Sequence, residues 1–126
     1  MTSSNLAAIN AGALMSSDIV SVTPSTTADE LAGLLLEHQI GGVPVLSADG
    51  SLVGMVSGFD VISKPGKSIQ EIMSRGVVFV DVDDDVEKIV SLMGLHGIRR
   101  VPVCKDGRLV GIISRSDLLR HYVKHR

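Results

Sequence analysis

The feature that most constrains the fold of this chain is an internal repeat. With a shift of 58 residues, Met15 meets Met73 and Val43-Pro44-Val45 meets Val101-Pro102-Val103. After a one-residue deletion the shift becomes 57, and Asp60 then meets Asp117. A tandem repeat of this length predicts one structural motif that is used twice.

The repeat divides the 126 residues into an N-terminal arm over 1–14, a first motif over 15–65 and a second motif over 66–126, whose core is 73–121. The stretch 64–68, Lys-Pro-Gly-Lys-Ser, predicts a linker, because Pro and Gly interrupt the pattern. One motif alone is too small to bury its own hydrophobic faces. We therefore expect the two motifs to pack about a pseudo-twofold axis.

Each motif predicts the order β-α-β-β-α, an α/β (α+β) fold. Short strands are expected at 19–22 and 77–80, and hairpins at the Asp-Gly turns of 49–50 and 106–107. A last helix is expected to start near Phe59 in one motif and near Ser116 in the other.

Hydrophobic spacing predicts one apolar face on the first helix of each motif. Thr27 and Glu30 have the spacing of a capping box. The faces consist of Leu31, Leu34 and Leu35 in the first motif, and of Val86, Ile89, Val90 and Met93 in the second.

Charge and composition limit the classes of partner. Residues 1–63 carry a net charge of −6 and residues 64–126 carry +4, in a chain of pI 6.0 with three aromatic residues. Such a chain is a poor candidate for nucleic-acid binding. No apolar run is long enough to span a membrane, and the lack of Lys or Arg before residue 64 argues against a secretory signal. We expect a cytoplasmic protein whose single cysteine, Cys104, is a buried and inert thiol.

The motifs resemble the CBS domain, named after cystathionine β-synthase, two of which in tandem form a Bateman module. The resemblance rests on hydrophobic-Pro-Val, Asp-Gly and Leu-Val-Gly followed by Ser-x-x-Asp, and it covers 15–63 and 73–121. It leaves no segment for a catalytic domain. The resemblance implies a stand-alone, non-enzymatic CBS pair that binds an adenosine-containing ligand in clefts between the motifs and dimerises.

The resemblance also implies which residues bind. A carboxylate can accept hydrogen bonds from both ribose hydroxyls, and guanidinium groups can hold phosphates. The main site comprises Asp117, Ser114, Ser116, Arg99 and Arg100, with Met15, Ile19 and Val20 against the adenine. A second, weaker site comprises Asp60, Ser57, Phe59, Val77 and Val78. The second site is weaker because Gly41 and Gly42 stand where the main site has its two arginines.

Several alternatives remain open at this point. Ser-x-x-Asp between a strand and a helix is also a helix-capping pattern. The ligand is AMP, ADP or ATP, or else S-adenosylmethionine, and a ligand-free dimerisation module is a further possibility. A small enzyme is the weakest interpretation, because no nucleophile–base pair is visible.

No metal site is expected. The acidic run 81–85 is interpreted as favouring a helix N-terminus, and His38 and His96 as helix C-terminal residues. His121 and His125 are interpreted as part of a chain terminus rather than as a metal pair. We expect a homodimer, paired head to tail because the two halves carry unlike charge, and a protein partner that the sequence does not identify.

Overall fold

The fold contains two antiparallel hairpins of matching register in a computed structural model that describes residues 9–125. Strand β1 (Gly42–Leu46) pairs with β2 (Leu52–Ser57), and β4 (Arg100–Lys105) pairs with β5 (Arg108–Ser114). At the turns Gly50 and Gly107 have φ of 85° and 78°, a backbone conformation that favours glycine. The hairpins predicted from the two Asp-Gly turns are confirmed.

The two long helices before these hairpins are α2 (Ala28–His38) and α5 (Val86–His96). Thr27 and Glu30 form the predicted capping box on α2, and Asp85 caps α5 by accepting from the Lys88 amide at 2.9 Å. Leu31 and Leu35 are buried on α2.

The predicted apolar face of α5 is correct for Val86, Ile89 and Met93, which are buried, but wrong for Val90, which is 45% exposed. The three buried positions lie along one side of the helix. Val90 lies one turn after Val86 at the margin of that side, about 100° around the helix from Ile89, and this margin is partly exposed.

Each hairpin leads into a closing helix, α3 (Gly58–Ser63) or α6 (Arg115–His125). Both begin one residue before the predicted start, because Ser57 and Ser114 at the ends of β2 and β5 accept hydrogen bonds from the third helical residue.

The strands predicted at 19–22 and 77–80 are much shorter in the structure. Only Val22 pairs in the first run, parallel to Val45 of β1. In the second run, β3 (Val80–Asp81) pairs parallel to β4. Turns at Thr23–Thr26 and Asp81–Asp84 end the pairing directly after these residues. Each of the two predicted strands therefore pairs with the edge of a hairpin only at its last residue, Val22 or Val80.

The chain divides into two compact units. The first unit is Val20–Val77, and the second joins the residues up to Ile19 with those from Val78 onward. Each unit has its own core, around Leu31, Val45 and Ile69 in the first and around Val80, Ile89 and Val103 in the second. Over residues 9–125, no helix has both the length and the apolar character that a membrane span requires.

Two short helices were not predicted from the sequence, α1 (Ala11–Leu14) and α4 (Ile69–Ile72). They extend the repeat of shift 58 upstream, since Ala11 and Ile69 are equivalent and both are fully buried. After α1, Ser16 pairs with Ile112 on β5, and after α4, Ser74 pairs with Met55 on β2. The segment that precedes each motif therefore belongs to the unit of the other motif.

Candidate functional site

The Ser-x-x-Asp segment of the first unit caps helix α3. The amide and hydroxyl of Ser57 donate to Asp60 Oδ2 at 2.8 and 3.1 Å, and the Asp60 amide donates to Ser57 Oγ at 3.2 Å. The capping interpretation of this motif is confirmed, and the cap uses one of the two carboxylate oxygens.

The second unit repeats this geometry at the start of α6. The amide and hydroxyl of Ser114 donate to Asp117 Oδ2 at 2.7 and 3.0 Å, and the Asp117 amide donates to Ser114 Oγ at 3.2 Å. The cap holds each carboxylate in one orientation and directs Oδ1 away from the cap. A carboxylate oxygen has a second lone pair, so capping and ligand binding are compatible.

The two carboxylate oxygens that are not used for capping pair with different cations. Lys64 Nζ lies 2.8 Å from Asp60 Oδ1, and Arg120 Nη2 lies 2.6 Å from Asp117 Oδ1. Burial raises the pKa of Asp60, but the hydrogen bonds from Lys64 and Ser57 outweigh burial and lower the pKa below its ordinary value. Asp60 is therefore held as a carboxylate.

A pocket of about 450 Å³ lies where β4 and β5 meet the start of α6. Its lining includes four residues predicted for the main site, namely Arg99, Arg100, Ser114 and Ser116, together with Arg115 and Leu119. Sequence reasoning missed Arg115, although it stands inside the Ser-Arg-Ser-Asp segment. Within residues 9–125, no carboxylate forms an ion pair with Arg99, Arg100 or Arg115. These guanidinium groups are therefore open to an anion.

A second pocket, of about 360 Å³, lies between α1 and α6, and Asp117 lines it together with Arg120, His121 and Lys124. His121 is 7% exposed, and its Nε2 has no hydrogen-bond partner among the residues described. Its ring lies 4.3 Å from that of His125. His121 lies in the last helix of the described chain, and it is buried because α6 continues to His125 and packs against α1.

The apolar residues predicted to face an adenine line neither of these pockets. The Met15 side chain lies against Gly111, so it fills space in the second unit. Ile19, Val20, Val77 and Val78 are half-buried, and Phe59 is exposed on α3. Their contact with a ligand stays a prediction.

The acidic run 81–85 has structural partners. In the acidic run, Asp84 accepts from the Asp81 amide at 2.8 Å and pairs with Lys88 at 3.1 Å, as expected of a turn that leads into a helix. Among residues 9–125, no three His, Cys, Asp or Glu side chains are grouped as metal ligands. Cys104 is buried as predicted, and burial together with the charge of Asp81 raises its pKa.

A family model described as the CBS domain matches residues 11–66 and 69–124. The chain belongs to the CBS-domain family. The match begins at α1, so the family motif includes the short helix that sequence reasoning missed, and the predicted α+β fold of tandem CBS motifs is confirmed.

Curated relatives share the whole pair. An uncharacterised protein of Methanopyrus kandleri is 33% identical over 121 residues, which are 89% of this chain and 62% of that protein. Hypoxic response protein 1 of Mycobacterium tuberculosis is 29% identical over 120 residues, which are 89% of this chain and 84% of that protein. The chain thus spans less than two thirds of the Methanopyrus protein.

Solved structures of CBS pairs superpose closely and include complexes with adenosine compounds. CBSX2 in complex with AMP has a TM-score of 0.85 at 28% identity, covering 91% of this chain and 96% of that chain. A CBS domain pair in complex with 5′-methylthioadenosine and S-adenosyl-L-methionine has a TM-score of 0.82 at 27% identity, covering 94% and 98%. The cytosolic domain of the Mg²⁺ channel MgtE in complex with ATP has a TM-score of 0.80 at 33% identity, covering 88% and 48%.

Proposed function

We propose that this CBS pair is a non-enzymatic regulatory module that binds an adenine nucleotide (AMP, ADP or ATP) at the Asp117 site of its second unit. The observation that carries the proposal is the pocket in which Arg99, Arg100, Ser114 and Ser116 converge at the start of α6. Asp117, on the first turn of the same helix, lines the other pocket, so the proposed site takes its groups from both pockets. Relatives of the same fold bind AMP and ATP, which supports this class of ligand.

The site offers separate groups for the phosphate and for the ribose of a nucleotide. Guanidinium groups without carboxylate partners attract phosphate, and charge-assisted hydrogen bonds to phosphate are strong. Asp117 Oδ1 accepts from Arg120, whose side chain is 67% exposed, so this cation is free to move aside for a ribose diol. The cap through Oδ2 stays intact while Oδ1 exchanges partners.

S-adenosylmethionine is the second candidate ligand, because a CBS pair of the same fold binds it. It carries a sulfonium cation and no phosphate, so it makes less use of three guanidinium groups. A CBS pair that binds no ligand and only builds a dimer surface is the remaining alternative.

In this proposal the module acts in the cytoplasm, where a buried single cysteine stays a thiol. Nucleotide binding changes the equilibrium between arrangements of the protein, and a partner protein responds to that change. The shift is limited by the difference in ligand affinity between the arrangements.

Calorimetric titration of AMP and ATP into three variants tests the proposal. Asp117→Ala removes a charged hydrogen-bond partner and is expected to weaken binding roughly 10- to 100-fold. Asp60→Ala is expected to weaken it much less. Arg100→Ala is expected to weaken nucleotides but to leave adenosine nearly unaffected, since adenosine has no phosphate.

The matched control is Arg108→Ala, since Arg108 is an exposed arginine on β5 outside both pockets. It is expected to bind AMP as the parent does. Equal losses from Asp60→Ala and Asp117→Ala would contradict the ranking of sites. No binding of AMP, ADP or ATP by the parent would overturn the function and leave Ser-x-x-Asp with its capping role alone.

A further inference from the structure

Among the equivalent positions at which the closing segments of the two units differ, one follows the capping aspartate by four residues. The shift of 57 that aligns Asp60 with Asp117 also aligns Lys64 with His121, and the shift of 58 aligns Ile72 with Leu14. The repeat therefore assigns a lysine and a histidine to equivalent positions, four residues after the carboxylate.

In the first unit, Lys64 bridges these elements. Its ammonium lies 2.8 Å from Asp60 Oδ1 and donates to the carbonyl oxygen of Ile72 at 3.1 Å. With Ser57 on Oδ2, both carboxylate oxygens of Asp60 have donors, and this side chain is only 13% exposed. A ribose diol has to displace a lysine that is anchored at two acceptors.

In the second unit, no such bridge joins the equivalent elements among residues 9–19 and 78–125. His121 is buried, and its Nε2 has no partner in the described part of the chain. The pocket of about 360 Å³ lies here, with Leu14, Asp117 and His121 in its lining. Among the described residues, Asp117 Oδ1 pairs with Arg120 alone, and the Arg120 side chain is far more exposed than that of Lys64, at 67% against 42%.

We infer that Lys64 occupies the place of a ligand at Asp60 and so keeps the site of the first unit closed. One chain then binds a single adenosine ligand, at Asp117. The inference rests on the proposed function, and it adds the residue that decides how many sites fill. A ligand binds this carboxylate only while the lysine is away. The apparent affinity is therefore the intrinsic affinity multiplied by the fraction of time that the lysine is away. Loss of a charge-assisted bond of this kind is worth roughly tenfold or more in affinity.

Lys64→Met tests this role, because methionine keeps an unbranched stem and removes the ammonium group. In AMP titrations the parent is expected to bind one equivalent, and Lys64→Met is expected to bind a second, with affinity at Asp60 raised roughly tenfold or more. The double variant Lys64→Met/Asp117→Ala is expected to keep the Asp60 site alone. Lys67→Met, in the same segment, is the control and is expected to bind one equivalent.

The outcomes separate the inference from the function on which it rests. Two equivalents of similar affinity in the parent, or one equivalent in a folded Lys64→Met, overturn the role of Lys64 and leave nucleotide binding in place. No AMP binding by either protein overturns the proposed function itself.

A measurement on the parent avoids any folding defect of the variant. Mass spectrometry after brief acylation compares the reactivity of Lys64 with that of Lys67, with and without saturating AMP. Lys64 is expected to be the less reactive amine and to be unchanged by AMP. A rise in Lys64 labelling on addition of AMP would mean that the ligand displaces it, which refutes the inference.

Discussion

At the scale of single residues, the carboxylates of Asp60 and Asp117 each combine two tasks. One oxygen caps a helix, and the other pairs with a cation. The cap fixes the orientation of the carboxylate before any ligand arrives. The capping role of Asp117 and the binding role that we propose for it are therefore compatible, because they use different oxygens of one carboxylate.

The depressed pKa of Asp60 predicts how stability depends on pH. A carboxyl group whose pKa is lower in the folded state contributes stability above its unfolded pKa, about 3.9, and this contribution is lost as the pH falls through the folded-state pKa. Asp60→Asn is expected to be less stable than the parent at pH 7 and to show a shallower loss of unfolding free energy below about pH 4. Urea unfolding between pH 7 and pH 3 measures this, and parallel acid limbs for the two proteins would contradict it.

At the scale of elements, the helices begin where side chains supply the missing hydrogen bonds. The Thr27 hydroxyl accepts from the Glu30 amide at 3.1 Å, and the Glu30 carboxylate accepts from the Thr27 amide at 3.2 Å. This reciprocal pair stops α2 from extending into the turn at Thr23–Thr26.

Removal of this cap gives a second prediction. Thr27→Ala is expected to lower the free energy of unfolding by about 1 kcal/mol, because the Glu30 amide loses its acceptor. Thr27→Ser keeps the hydroxyl and is expected to stay close to the parent. Chemical denaturation of the three proteins is the measurement, and an alanine variant as stable as the serine variant would refute it.

The packing of the short helices against the hairpins gives a third prediction. A Cβ on Gly54 would lie 2.8 Å from Met73 Sδ and 2.9 Å from the carbonyl oxygen of Ser74. Gly54→Ala is therefore expected to cost about 1–3 kcal/mol, because α4 and the residues after it have to move away from β2.

The matched control is Gly33→Ala on α2, where a Cβ meets nothing within 4 Å. It is expected to stabilise the protein by about 0.5–1 kcal/mol, since alanine favours a helix interior. Opposite signs for the two substitutions in thermal unfolding would support the close packing at Gly54. A neutral Gly54→Ala would count against it.

At the scale of the whole molecule, the two compact units differ less in net charge than the two halves of the sequence do, and this difference is the basis for expecting a head-to-tail dimer. The predicted halves carry −6 and +4, but Lys64, Lys67 and Arg75 fold with the first motif. Counted over the compact units, the net charges are −3 and +1. The two units still differ in charge, so head-to-tail pairing stays a prediction, with less electrostatic support than the sequence indicated.

Exposed apolar side chains on the helices favour association through a second copy of the chain. They include Leu36 on α2, Phe59 and Ile62 on α3, Leu95 on α5, and Leu119 and Val123 on α6. We predict a homodimer at micromolar concentration by light scattering, and Ile62→Asp is expected to shift it toward monomer. A monomeric parent would contradict the first part. A cross-link between Lys67 of one protomer and Lys67 of its partner would contradict head-to-tail pairing.

The sequence alone determined the repeat, the hairpins and the long helices with their caps, because these depend on local spacing and on turn residues such as Asp-Gly. It also indicated Asp117, which stands in the Ser-x-x-Asp motif, and Arg99 and Arg100, which the repeat aligns with two glycines. These assignments needed no knowledge of tertiary contacts. Only the tertiary structure decided what depends on neighbours distant in sequence. It placed α1 with the second unit, buried His121 against that helix, and set Lys64 between Asp60 and Ile72. A four-residue helix has too few residues for a periodic signal, and the partners of Lys64 depend on where α4 packs, so no local pattern could have revealed either.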